Sequence, residues 1–169
     1  MNSPNKSAQF LGVIQKNKGI IYKVANSYCH DEEDRKDLIQ EIIIQLWLSF
    51  DKYDAQFALT TWIYRIALNV SISLYRKEIR RSQINQPLPQ EIIYLHQESV
   101  LEEIDGHVNR LHHFIKELKE IDRAIIILYL EEKSHQETAD ILGLSVKNIS
   151  VRISRIKEQL RQKFSTIKS

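Results

Sequence analysis

The sequence predicts an all-α chain: two small helical domains joined by a linker, the C-terminal one a helix-turn-helix. Three observations lead there. Gly (4) and Pro (3) are scarce among 169 residues while Ile and Leu are abundant, a balance that favours helix. Apolar residues recur at three- and four-residue steps through most of the chain. One stretch breaks the pattern: residues 82–107 hold two of the three prolines, no Lys or Arg, and five acids.

Each element can be justified in order. Residues 10–29 read as a helix with Leu11, Ile14, Ile21 and Val24 partly in register. Asp31 to Asp34 form an acidic turn suited to the N-terminus of a second helix. From Asp37 to Phe50 that helix buries Leu38, Ile42, Ile43, Leu46, Trp47 and Phe50. Residues 49–60 lose the period and read as a loop around Asp51, Tyr53 and Asp54. A third helix runs from about Thr61 to Arg81, with Trp62, Ile66, Val70 and Leu74 four apart on its apolar side. Pro87 and Pro89 mark the linker. Beyond it, Leu101, Ile104, Val108, Leu111, Ile115 and Leu118 make one long apolar face. Asp122 is placed to cap the next helix, which runs through Leu130. Ser134 with Glu137 forms a capping-box signature, Gly143 ends that helix, and Ser145 caps a final one to about Phe164.

Composition excludes several classes. Charged residues at 27% and hydrophobic ones at 43% describe a folding, soluble chain. No apolar run approaches the ~20 residues needed to span a bilayer. Residues 1–8 are polar and lack the apolar core of a secretion signal. The single cysteine, Cys29, rules out an internal disulfide framework, so a cytoplasmic location is expected. The net charge of +2 conceals a division: +3 over residues 1–81, −5 over 82–107 and +4 over 108–169. Two basic modules around an acidic segment suit two contacts with a polyanion, or simply solvated surface.

Residues 134–160 carry the most information. Ala139 is small where two helices would cross, Gly143 permits a positive φ, and Leu144 plugs the core below the turn. Ile149, Ile153, Ile156 and Leu160 form the buried side of the last helix. Its other sides present Lys147, Asn148, Ser150, Arg152, Arg155, Lys157, Arg161 and Lys163. Such a helix fits a major groove, with early polar residues on base edges and later cations on phosphates. Trp62, Tyr64 and Tyr75 alternate with Arg65, Asn69, Arg76, Lys77, Arg80 and Arg81 on the 61–81 helix. Rings for unpaired bases and cations for the backbone suit melted nucleic acid, although Trp62 on the apolar stripe reads first as a core residue. Residues 31–41 carry six acids against two bases, a poor DNA surface that suits a protein partner or a solvated face. Cys29-His30 and His107, His112 and His113 lack metal-ligand spacing and read as ordinary surface or core residues. With no glycine-rich phosphate loop and no nucleophile constellation, neither a cofactor nor enzymatic activity is expected.

These residues together resemble a bacterial sigma factor of the extracytoplasmic-function group. The similarity covers residues 10–81 and 108–164. It rests on Asp37-Leu-Ile-Gln-Glu41, Trp47, Thr61-Trp-Ile-Tyr-Arg-Ile-Ala-Leu-Asn69 and Arg76. Its second block is Glu137-Thr-Ala139, Leu142-Gly-Leu-Ser145, Ile149 to Arg152, Arg155 and Leu160-Arg161.

The resemblance implies a promoter-specificity subunit that binds core RNA polymerase, directs it to promoter DNA and assists opening. It implies an N-terminal sigma domain over 1–81, an acidic linker over 82–107 and a C-terminal sigma domain over 108–169. By resemblance, Asp37, Gln40 and Glu41 face the polymerase. The 49–60 loop with Thr61, Trp62, Arg65, Asn69, Arg76, Lys77 and Arg80 meets the minus-ten element. Lys147, Asn148, Ser150, Arg152 and Arg155 read the minus-thirty-five element. An anti-sigma factor is the silencing partner the group leads one to expect, without membrane insertion. Two positions depart from the pattern: Ser73 stands where many relatives carry an acid, and Thr138 where an aliphatic residue is usual. The competing reading is a stand-alone helix-turn-helix regulator whose first 81 residues sense or dimerise.

Overall fold

The computed structural model describes residues 4–84 and 106–166. Among them are seven α-helices, one 3-10 turn and no strand. The helices are α1 (Pro4–Tyr28), α2 (Glu32–Ser49), α3 (Leu59–Ile84), α4 (Gly106–Glu117), α5 (Glu120–Leu130), α6 (His135–Leu142) and α7 (Val146–Ser165). The 3-10 turn, Phe50–Lys52, follows α2.

The first three helices pack against one another around Ile21, Val24, Leu38, Ile42, Leu46, Ile63, Ala67 and Leu68. Pro4 opens α1, where a missing N–H costs nothing. Asp31 occupies the position before α2 without a side-chain cap bond, and Glu32, Glu33 and Asp34 fill its first turn, where the helix dipole favours acids. The predicted apolar stripe of α3 is displaced: Trp62, Ile66, Val70 and Leu74 are only half-buried, while Ile63, Tyr64, Ala67, Leu68 and Ile72 are fully buried. The cause is that α3 meets α1 and α2 on one side and α5 and α6 on another, so more than one stripe is covered.

The helix-turn-helix is α6 and α7. The Ser134 hydroxyl accepts from the Glu137 N–H at 3.1 Å, and the Glu137 carboxylate accepts from the Ser134 N–H at 2.7 Å, completing the capping box. Gly143 takes φ 70°, and its N–H folds back to the Ala139 carbonyl at 2.8 Å. Thr138 is buried despite its hydroxyl. Asp122 does not cap α5. That helix begins at Glu120, so Asp122 lies inside its first turn. The segment expected to be a linker lies mostly outside the described residues, as do Leu101 and Ile104. At its edges, α3 continues to Ile84 and α4 starts at Gly106.

The two halves meet at α5, which is apolar on every side from Ala124 to Leu130. Ala124, Ile127 and Leu128 join the core built by α1–α3. Ile125 and Ile126 join a second core with Ile115, Ala139, Ile149, Ile153 and Ile156. Arg123, on the same helix, is 1% exposed. Its guanidinium carbon lies 5.0 Å from the Tyr28 ring centroid and 4.9 Å from that of Tyr75. Nη1 donates to the Ser27 carbonyl at 2.9 Å, and Nη2 to the carbonyls of Lys116 at 2.6 Å and Leu118 at 3.1 Å. These carbonyls belong to the ends of α1 and α4, the negative poles of two helices. The Tyr28 hydroxyl donates to the Glu120 carbonyl at 2.7 Å. Burial pushes the acidity of that phenol down, so it stays a donor. Arg76 donates to the Glu120 carboxylate at 2.8 Å, and Lys23 pairs with Glu131.

Arg123→Ala strips the donor from three buried or half-buried carbonyls and is expected to cost roughly 3 kcal/mol of stability, read from urea unfolding. An unchanged midpoint would show that the seam contributes little. The Arg76 hydrogen bond, opposed by partial desolvation, holds the Glu120 carboxyl below its usual 4.5. A depressed carboxyl stabilises fully above its unfolded value, and that stabilisation is lost as pH falls below it. Glu120→Gln is therefore expected to reduce the loss of stability as the pH falls through and below 4.5. An identical pH profile would contradict this.

Candidate nucleic-acid interface

The outer face of α7 is built by its caps and its core. The Ser145 hydroxyl accepts from the Asn148 N–H at 3.1 Å and fixes where the helix begins. Ile149, Ile153 and Ile156 turn inward and are buried. Lys147, Asn148, Val151, Ser154 and Arg155 are exposed on the opposite side. Arg152 sits at the margin: its Nε donates to Asn148 Oδ1 at 2.7 Å and its Nη1 to Asp122 Oδ1 at 2.8 Å. Ser150 lies half-buried on the other flank. Ser145, Lys147, Asn148, Val151, Arg152 and Arg155 line one shallow concavity. Four of the five side chains expected to read duplex DNA thus share one face, and Ser150 stands apart.

The α3 candidates divide in two. Asn69, Lys77 and Arg80 are exposed. Arg65 and Arg76 are instead engaged by the C-terminal helices. Arg65 Nη2 donates to the Asp140 carbonyl near the end of α6 at 2.7 Å, and Arg76 binds Glu120. Thr61 is buried, its side chain packed into the bundle. Trp62 is half-buried, with ring centroids 5.3 Å from Tyr53 and 6.3 Å from Phe50. Ser73 is exposed between Asn69 and Arg76, an uncharged gap in a polar stripe.

The 53–58 loop is ordered by its own side chains. The Tyr53 hydroxyl donates to the Phe57 carbonyl at 2.7 Å, and Asp54 Oδ1 accepts from the Gln56 N–H at 3.0 Å. Phe57 is left 39% exposed, with the Arg65 guanidinium carbon 5.0 Å from its ring centroid. An exposed ring beside a cation is a surface on which an unpaired base can stack.

On α2, Asp37 and Gln40 are exposed, and half-buried Glu41 accepts from Gln45 Nε2 at 3.0 Å. The same side of the helix continues into Ile44 and Leu48, which are 49% and 63% exposed. The face is therefore acidic at one end and apolar at the other, which suits protein better than nucleic acid. Sequence reasoning missed Ile44, Leu48, Phe57 and Val151. The available signal was an apolar residue lying off its helix's core stripe, or a ring within a polar loop.

The Cys29 thiol is pushed up to about 11 by burial, helped by the nearby Glu78 and Asp34 carboxylates, which leaves it unreactive at neutral pH. Among the described residues, no three His, Cys, Asp or Glu side chains gather as a metal site. No helix among them is long and apolar enough to cross a membrane.

Comparison with known proteins agrees with this geometry. The Sigma-70 region 2 family matches residues 13–81, and the Sigma-70 region 4 family matches residues 109–160. The ECF RNA polymerase sigma factor SigW of Bacillus subtilis is 26% identical over 163 residues, covering 90% of this chain and 87% of SigW. The RNA polymerase sigma factor NccH of Alcaligenes xylosoxydans is 25% identical over 159 residues, 88% of this chain and 82% of NccH. Among solved structures, CnrH in complex with the cytosolic domain of CnrY superposes with a TM-score of 0.67 at 22% identity, covering 95% of this chain and 90% of that one. The sigma factor RpoE bound to the anti-sigma factor NepR, from Bartonella quintana, gives a TM-score of 0.67 at 18% identity over 96% of this chain and 98% of that one. With both conserved sigma regions matched in order, and relatives of the same kind along nearly its whole length, the chain belongs to the sigma factors, in the extracytoplasmic-function group.

Proposed function

We propose that this chain docks on core RNA polymerase through the α2 face of Asp37, Gln40 and Glu41, and brings promoter DNA to two surfaces. The 53–58 loop with Trp62, Arg65, Asn69, Arg76, Lys77 and Arg80 takes the minus-ten element. The outer face of α7 takes the minus-thirty-five element. The observation that carries this reading is the α7 face, where Lys147, Asn148 and Arg155 stand exposed on a helix anchored from behind by three buried isoleucines. In this division residues 1–81 and 108–169 are the two working domains, and 82–107 connects them. The chain has no catalysis of its own and acts in the cytoplasm, where the polymerase is.

The engagement of Arg65 and Arg76 gives the polymerase a defined task. Both arginines must exchange Asp140 and Glu120 for phosphate before α3 can follow a DNA strand. A surface that holds α2 and α3 while the C-terminal helices move away would make that exchange. An anti-sigma partner is expected to act in the opposite sense, as the NepR complex of RpoE suggests by likeness of fold.

The direct test is binding to purified core polymerase followed by transcription from fragments of the source genome. Selective initiation supports the proposal. Dimeric, salt-sensitive binding to duplex DNA without polymerase would favour a stand-alone regulator instead. Asp37→Lys combined with Gln40→Ala is expected to weaken polymerase affinity at least tenfold with the helical circular dichroism unchanged, and full affinity would remove α2 from the interface. Arg152→Ala is expected to cost about 1–3 kcal/mol in upstream-element recognition, measured by competition between promoter sequences. Unaltered selectivity would assign Arg152 to the Asp122 ion pair alone.

A further inference from the structure

Val151 is 50% exposed on a helix whose other outward residues, beyond Val146 in its first turn at 40%, are polar or charged. No packing accounts for it there, and a β-branched residue is a poor choice for an exposed helical position. Its place on the helix is specific. At about 100° per residue, Ile149, Ile153 and Ile156 all lie roughly opposite Val151, so it marks the line of α7 farthest from the core. Lys147 and Arg155 sit one turn before and after it, and Asn148 and Ser154 lie beside it. Val151 also lines the concavity shared by Ser145, Lys147, Asn148, Arg152 and Arg155.

Resting on the reading of α7 as the duplex-facing helix, we infer that Val151 is a specificity residue that reads the 5-methyl group of a thymine in the upstream promoter element. A helix laid in the major groove presents its outermost line to the groove floor, while the flanking cations reach the phosphates on either wall. The floor offers hydrogen-bond donors and acceptors from every base pair, and a methyl group only from thymine. A valine there can bond with none of the polar edges and leaves them without partners. It gains only where its methyls meet another methyl and both leave water. Val151 therefore selects an A·T pair, in the orientation that brings the thymine methyl beneath it, between the contacts made by Asn148 and Arg155.

The test uses the full chain with core polymerase and duplex promoters selected from a randomised upstream element. Each thymine in the selected element is then replaced singly by 2′-deoxyuridine, which removes only the methyl group. One position is expected to lose about fourfold in binding, the size of one methyl group withdrawn from water. Val151→Ala should lower binding to the thymine duplex and make thymine and uracil equivalent at that position alone. Val151→Ser should lose the thymine preference while leaving thermal stability unchanged, because the side chain is exposed. A chain that selects an upstream element yet tolerates uracil at every position, or a Val151→Ala variant that keeps the full thymine preference, overturns this inference and leaves the proposed function standing. A complex that selects no upstream element overturns both.

Discussion

The arrangement of the molecule depends on one buried guanidinium. Arg123 carries a permanent charge into a site that is 1% exposed, and among the described residues no carboxylate forms an ion pair with it. The ends of α1 and α4 converge on it through three carbonyls, and the faces of Tyr28 and Tyr75 close it from two sides. Two helix dipoles and two ring quadrupoles supply the negative potential that an acid would otherwise provide. The contact also terminates both helices, whose last carbonyls would be orphaned without it. A single side chain thus joins the N-terminal bundle, α4 and α5, while Arg65 ties α3 to the end of α6.

Much of this was legible in the sequence where information is local. The capping box at Ser134 and Glu137, the left-handed Gly143 and the Ser145 cap each act within a few residues, and the structure shows all three. The inward isoleucines of α7 follow from helical period alone. The reading failed where distant elements decide. The stripe on α3 was misplaced because α5 and α6 cover a side that a single-helix pattern treats as open. Arg123 lies in the largely apolar helix α5, and although the Lys116 and Leu118 carbonyls are near in the chain, Ser27, Tyr28 and Tyr75 are far away, and no spacing rule connects them. Asp122 was expected as a cap because it is a good capping residue. It lies inside the first turn instead and pairs with Arg152.

The two surfaces proposed to meet DNA differ in how they are prepared. The α7 face is rigidly backed and already displays most of its readers, so recognition there needs little rearrangement. The α3 face has two of its arginines committed elsewhere, with Phe57 set beside Arg65. That division suits a protein that must first locate a duplex and only later hold a separated strand. The apolar continuation of the α2 face through Ile44 and Leu48 leaves a third surface free for a protein partner while both others are occupied.

The contacts of Arg65 and Arg76 with the C-terminal helices have a consequence for affinity. A conformer that can use these arginines on DNA must first release Asp140 and Glu120, so it is only a fraction of the free population. The apparent dissociation constant equals the intrinsic one divided by that fraction. Every tenfold preference for the closed seam therefore weakens free binding tenfold without altering a single DNA contact. Seam strength and DNA contacts are then independent variables, and changes at Glu120 or Tyr75 can tune how much promoter occupancy depends on polymerase while leaving sequence preference as it is.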